Sequence, residues 1–231
     1  MANLFESDIK DITRLILLRH GRTPANKEAR IGSLRDIPLA EDGREQVRKL
    51  AKRLESLQID VLYSSPLLRT QQTAGIIAEH LSLDIILDPD LIEFDFGVIS
   101  DKTLDEVEEE LPEIYQELHA WMDCGFGKAP QRPIVPEAEK LEDFEERIER
   151  FCNKVLRDHP SQVVAVTTHM ATIKGFMSHL FGPPMERHMN FNALNTSVTI
   201  VDFFKGSPVL TAFNDIRHLE EEYPFGRVNL I

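Results

Sequence analysis

Cysteine is nearly missing from this sequence: Cys124 and Cys152 are the two in 231 residues. Two thiols are not a disulfide framework, so the expected setting is a reducing compartment, the cytoplasm. No apolar run approaches the roughly 18 residues of a membrane span, and the opening stretch MANLFESDIKDITR is acidic, without the apolar core of a secretory leader. Positive charge is also scarce. With 26 basic against 39 acidic residues the net charge is −13, which argues against nucleic-acid partners and acidic membrane surfaces, both of which select a basic face. No histidine pair has the i, i+4 spacing with a carboxylate that a zinc helix offers, so neither a metal nor a cofactor is expected. Internal repeats and low-complexity tracts are absent.

What is present is an ordinary globular composition, 42% hydrophobic and 28% charged, arranged in alternating strand and helix patterns. TRLILLR (13–19), IDVLYSS (59–65), DIILDPDL (84–91) and QVVAVTTH (162–169) read as buried strands. EDGREQVRKLAKRLESL (41–57) carries Val47, Leu50, Ala51, Leu54 and Leu57 at helical spacing. SPLLRTQQTAGIIAEHL (65–81) reads as a helix with Ser65 as its N-cap and Pro66 in its first position. TSVTIVDFF and PVLTAFN flank KGS as a β-hairpin. Residues 101–150 are acidic and mostly helical in pattern, broken by a Gly- and Pro-rich loop at 123–139. The expected fold is α/β: a three-layer αβα sandwich with a mostly parallel central sheet, an antiparallel edge and a helical insertion. The whole chain, 1–231, is expected to be one domain, with the insertion at about 95–150 forming a lid.

Three of the strand patterns end in unusual residues. In LILLRHGRTPAN the first runs into Arg19 and His20; the second leads to Ser65 and then Arg69; the one at 162–169 ends in His169. Alone, each has an ordinary explanation: a solvated turn, a surface helix cation, a structural histidine. Sites in doubly wound sheets form at the carboxyl ends of strands, so if these strands are neighbours, two arginines and two imidazoles share one pocket. Arginine forks and a helix N-terminus suit a phosphoryl group. Transfer without a metal needs a nucleophile, which His20 can be if a backbone carbonyl fixes its other nitrogen, and an acid. DPDLIEFDFG offers Asp88, Asp90, Glu93 and Asp95 for the acid, and composition does not choose among them.

These segments resemble the histidine phosphatase superfamily, in the branch that contains cofactor-dependent phosphoglycerate mutases and many small-molecule phosphatases. LLRHGRTPAN resembles its signature around a nucleophilic histidine; GSLRDIPLAEDGREQVRKLAKRL, LYSSPLLRTQQTA, LIEFDFG, VVAVTTHMATIK and NTSVTIVDF resemble its later motifs. The resemblance implies that His20 is the phosphorylated nucleophile and that Arg19, Arg69 and His169 bind the phosphoryl oxygens. It selects Glu93 as the acid and places Thr23 and Asn26 on the rim, with Gly32 and Ser33 in a substrate-touching loop. The chain departs from the family at Arg22, where relatives often have Glu or Gln, at Met170, where they have glycine, and at EAEKLEDFEERI, where they carry a Gly-Glu-Ser element. Arg22 is read as pairing with an acidic neighbour or meeting a second negative group of the substrate; Glu139 is left without a role.

Three functions follow from this resemblance. The first is a metal-independent phosphatase that hydrolyses small phosphomonoesters through phosphohistidine. The second is a phosphoglycerate mutase, disfavoured because FDFGVIS after the acid lacks the cations that grip a glycerate carboxylate in mutases. The third is a non-catalytic phospho-ligand module, disfavoured because both His20 and Glu93 are present. The sequence leaves a homodimer open.

Overall fold

The computed structural model describes residues 12–122, 133–182 and 191–219. The elements, in order, are β1 (Ile12–Arg19), α1 (Pro24–Lys27), α2 (Glu41–Leu54), β2 (Val61–Ser64), α3 (Leu68–Leu81), β3 (Ile85–Leu87), α4 (Leu104–Glu110), α5 (Pro112–Met122), α6 (Leu141–Asp158), β4 (Val163–Thr168), α7 (Met170–Phe181), β5 (Val198–Phe204) and β6 (Ser207–Asp215). The strands form one sheet in the order β3-β2-β4-β1-β5-β6. β1, β2, β3 and β4 run parallel, and β5 and β6 add the antiparallel edge. The expected α/β sandwich is therefore the observed one.

Because side chains alternate across a strand, β1 feeds two cores. Leu15 and Leu17 pack with Phe144, Ile148 and Phe151 of α6 and Ile173 and Phe176 of α7. Ile16 and Leu18 point the other way, onto Val47 and Leu50 of α2 and Ala74 and Ile77 of α3. All four β1 side chains are fully buried, which is why this segment reads as a continuous apolar run rather than an alternating one. A third, smaller cluster joins Ile31 and Ile99 to Val107 of α4 and Val135, with Leu104, Leu111 and Ile114 against it.

Three local expectations are corrected. The helix expected from Ser65 begins at Leu68, and Ser65 is not its cap. The Ser65 hydroxyl is engaged by His169 at 2.8 Å, and the first-turn amide of Leu68 is held at 2.9 Å by Asp36 Oδ1 from a distant loop. The strand expected over 84–91 pairs only at Ile85–Leu87, because Pro89 opens a 3-10 turn capped by Asp88. The helix expected to run to Leu57 gives way to a 3-10 turn over Glu55–Leu57. The hairpin is as expected, its two turn residues Lys205 and Gly206 having φ of +48° and +81°, the left-handed pair that a type I′ turn uses. Cys124 and part of the Gly/Pro-rich loop lie outside the described residues; Cys152 is buried and unpaired.

Candidate active site

The sheet order makes β2, β4 and β1 consecutive neighbours. Their carboxyl ends therefore meet, and the loops that follow them bring Arg19, His20, Arg69 and His169 together. The His20 amide donates to Thr168 O at 3.0 Å, which ties the end of β1 to the end of β4. The rings of His20 and His169 lie 5.4 Å apart, tilted by 58°.

His20 is held by its own successor. Its Nδ1 is 2.8 Å from the carbonyl oxygen of Gly21. A carbonyl only accepts, so Nδ1 carries the proton and donates, leaving Nε2 as the basic nitrogen. Gly21 is required here by close approach: a Cβ would lie 2.6 Å from Gly43 O and 2.7 Å from a Val47 methyl of α2. The Gly21 amide is in turn taken by Thr73 of α3 at 3.1 Å. The turn after β1 is thus wedged between two helices.

Burial lowers the basicity of both imidazoles. His20 titrates well below its usual range because it is buried and because Arg69 and Arg19 repel its charged form. His169 is shifted the same way, by burial and then by Arg69, His20 and Arg19. Both rings are neutral near pH 7. Arg19 is pushed down to about 10, mainly by burial, with Glu93 opposing. Its Nη1 donates to Ala193 O at 2.7 Å, while its buried Nε finds no hydrogen-bond acceptor. His169 Nδ1 is likewise buried without a partner, its Nε2 being paired with Ser65. Buried nitrogens without a partner are rare in folded proteins, and two of them stand side by side with the His20 ring here.

Glu93 stands across the cavity from these groups. One of its carboxyl oxygens, Oε1, accepts from three backbone amides: Phe94 at 3.0 Å, Ala171 at 3.1 Å and Thr172 at 3.3 Å. Ala171 and Thr172 open α7, so their amides have no acceptor within the helix. Asp88 and Asp90, the other nearby carboxylates, pair with Lys154 and Arg150. Asp95 caps the turn at Gly97. The structure therefore separates Glu93 from its neighbours, which composition could not do.

A cavity of ≈ 90 Å³ lies between these groups, with Arg19, His20, Thr23, Asn26, Arg69 and Glu93 in its wall. His169 is fully buried beside His20 and does not line it. Thr23 and Asn26 bond each other, Thr23 capping α1, and Asn195 Nδ2 bridges Asn26 Oδ1 (3.2 Å) and His20 O (3.1 Å). Gly32 and Ser33 also line the cavity; the Ser33 carbonyl accepts from Arg69 at 2.8 Å. Arg22 does not face the cavity. It pairs with Asp42 at 3.2 Å, the first of the two readings of its charge.

Several lining residues were not singled out in the sequence, among them Arg30, Asn195 and Lys174. Asn195 opens NTSVTIVDF, one of the segments that resemble the family's motifs, just before β5. Lys174 sits in α7, 1% exposed, with a pKa lowered to about 8 by burial and then by Arg19, against the pull of Glu93. Its signal was available: it is the lone cation in the otherwise apolar ATIKGFM.

Known proteins give the site its context. The chain is 31% identical over 212 residues to "Phosphoserine phosphatase 1" of Hydrogenobacter thermophilus, covering 92% of this chain and 97% of that one. It is 31% identical over 213 residues to "Probable phosphoglycerate mutase GpmB" of Cronobacter sakazakii, covering 90% and 95%. A phosphoserine phosphatase variant from Entamoeba histolytica, solved in complex with phosphoserine, superposes with a TM-score of 0.76 at 26% identity, over 90% of this chain and 99% of that chain. The family model of the histidine phosphatase superfamily, branch 1, matches residues 15–216. With the cations, imidazoles and carboxylate gathered at the strand ends its motifs mark, this chain belongs to the histidine phosphatase superfamily.

Proposed function

We propose that this protein hydrolyses small phosphomonoesters through a phosphohistidine on His20, without a metal. The observation that carries the reading is the bond from His20 Nδ1–H to Gly21 O, which leaves a neutral Nε2 lone pair in a cavity whose wall also holds Arg19, Arg69 and Lys174. In the first step Nε2 attacks phosphorus, the N–P bond forms, the ester P–O bond breaks, and Glu93 gives its proton to the leaving oxygen. In the second, Glu93 takes a proton from water as that water attacks phosphorus; the N–P bond breaks and inorganic phosphate leaves. Arg19 and Arg69 stabilise the charge on the phosphoryl oxygens, and His169, buried beside His20, supports that ring from behind the cavity wall. Lys174 adds a third donor, and Thr23 and Asn26 support the rim.

Hydrolysis is favoured over a mutase reaction by the acid loop. After Glu93 it places Phe94, Asp95 and Phe96, and Phe96, not a cation, reaches the cavity. Relatives bearing both kinds of name exist, and the phosphoserine and 3-phosphoglycerate complexes of the Entamoeba protein support a small phosphorylated substrate. We further read residues 1–231 as one domain whose segment at about 95–150 acts as the lid, supported by Phe96 in the cavity wall and Ile31 in the third cluster. Its scarce cysteine supports a cytoplasmic setting; among the described residues no helix is long and apolar enough to cross a membrane.

The test is to mix the protein with a ³²P-labelled phosphomonoester, quench, and look for protein-bound phosphate that is labile to acid and stable to base. Its absence under turnover conditions rejects the phosphohistidine route. Bisphosphoglycerate-dependent isomerisation of phosphoglycerate with no hydrolysis above background would replace the phosphatase by the mutase.

A further inference from the structure

Arg147 is a buried cation that the chemistry above does not use. Its side chain is 6% exposed and pairs with Glu139, itself 16% exposed, through Nε–Oε1 at 2.7 Å and Nη2–Oε2 at 3.0 Å. The remaining donors go to the loop that carries the acid. Nη1 donates to Asp90 O at 2.7 Å and Ile92 O at 2.9 Å, and Nη2 to Glu93 O at 3.3 Å. Glu139 grips the same loop one step further on: its amide donates to Asp95 O at 2.9 Å, and its Oε2 accepts from Asp95 N at 3.4 Å.

The loop from Ile92 to Asp95 has no strand partner, so its carbonyls need donors from elsewhere. α7 and β4 hold it from one side, through Thr172 Oγ1 to Ile92 O and Thr168 Oγ1 to Leu91 O, both at 2.7 Å. Arg147 and Glu139 hold it from the other. The guanidinium also lies 4.6 Å from the centre of the Phe144 ring, which packs edge-on against Phe94. A rigid fork with its donors spread over three carbonyls fixes a backbone far better than a single point charge would.

We propose that Arg147 and Glu139 are positioning residues for the acid: they clamp residues 90–95 from the α6 side and so aim the Glu93 carboxyl at the leaving oxygen. This gives Glu139 the role that the sequence left open. The inference rests on the proposed function for its catalytic meaning, but its structural half does not. Glu93 Oε1 is the acceptor for the Ala171 and Thr172 amides, so those two amides report the position of Glu93 whatever the enzyme does.

The experiment compares wild-type protein with Glu139→Gln and Arg147→Lys, using Asp202→Asn as a control that disturbs the distant Arg14–Asp202 pair. Two quantities are read: amide hydrogen exchange at Ala171 and Thr172 relative to the β4 amides, and turnover of an alkyl phosphate relative to p-nitrophenyl phosphate, whose good leaving group needs little help from an acid. Both clamp variants should lose at least about tenfold protection at the two amides and lose about tenfold more turnover on the alkyl than on the aryl ester, while Asp202→Asn changes neither ratio. Unchanged protection, or equal losses on both esters, overturns the positioning role. If Arg147→Lys does not fold, Glu139→Gln, which keeps the shape of the side chain, decides alone. Wild-type protein with no phosphatase activity would reject the proposed function, and the amide exchange would still decide the clamp.

Discussion

His20 and His169 face each other across 5.4 Å, both fully buried and both less basic than a free imidazole. Unfolded, each would bind a proton near pH 6.5; folded, each resists it to much lower pH. The unfolded state therefore holds more protons below pH 6.5, and stability must fall as the solution is acidified from there, by up to about 1.4 kcal/mol per ring per pH unit. The melting temperature should be steady above pH 7 and drop between pH 6.5 and 5. His169→Asn should flatten that slope; an unchanged slope would mean the rings are not neutral in the fold.

The same neutrality sets the pH dependence of catalysis. Nε2 of His20 stays available as a nucleophile below pH 6.5, so the acid limb of kcat/KM should lie well below the range of an unperturbed histidine. A limb with an apparent pKa of about 6.5 would contradict this.

Removing the nucleophile and removing the acid should look different. His20→Ala is expected to abolish turnover and covalent labelling together. Glu93→Gln keeps an oxygen for the Ala171 and Thr172 amides, so the fold should survive, while poor leaving groups suffer by about 10²–10⁴-fold and an activated aryl phosphate far less. EDTA should leave the wild-type rate unchanged.

Gly43 tests how the turn after β1 is wedged. Helix propensity alone predicts that Gly43→Ala stabilises by about 1 kcal/mol. A Cβ there would stand 2.0 Å from the Arg22 carbonyl oxygen, so the backbone must shift, and overpacking of this kind costs about 1–3 kcal/mol. We expect net destabilisation in a denaturant melt and a fall in kcat, since the displaced strand end carries His20.

Two cations should respond in opposite ways. Arg22→Ala removes a half-exposed pair with Asp42, which contributes about 0–1 kcal/mol; KM should not move. Lys174→Met takes a donor from the cavity wall, so inhibition by inorganic phosphate should weaken about tenfold or more, the range for a hydrogen bond to a charged group.

The sequence made the scaffold readable because β1, β4 and the helices carry strong periodic patterns, and the family motifs named His20, Arg19, Arg69, Glu93 and His169. What local pattern could not show were relationships across long stretches of chain. Ser65 has the composition of an N-cap, yet its hydroxyl belongs to His169, and Asp36 takes the helix amide from 32 positions away. Lys174 stands out as the lone cation of ATIKGFM, but packing, not pattern, is what places it in the cavity wall. Glu139 lacked the family's local motif, and its pairing with Arg147 became visible only in the fold.

The place of β1 in the sheet bears on biosynthesis. β1 is an interior strand: Leu15 pairs with Val164 on one side and Val201 on the other. Both partners lie far along the chain, so these contacts are among the slowest to form. Until Val198–Phe204 has been made, LILLRHG is an aliphatic segment with an open edge, exposed to the association that incomplete sheets invite.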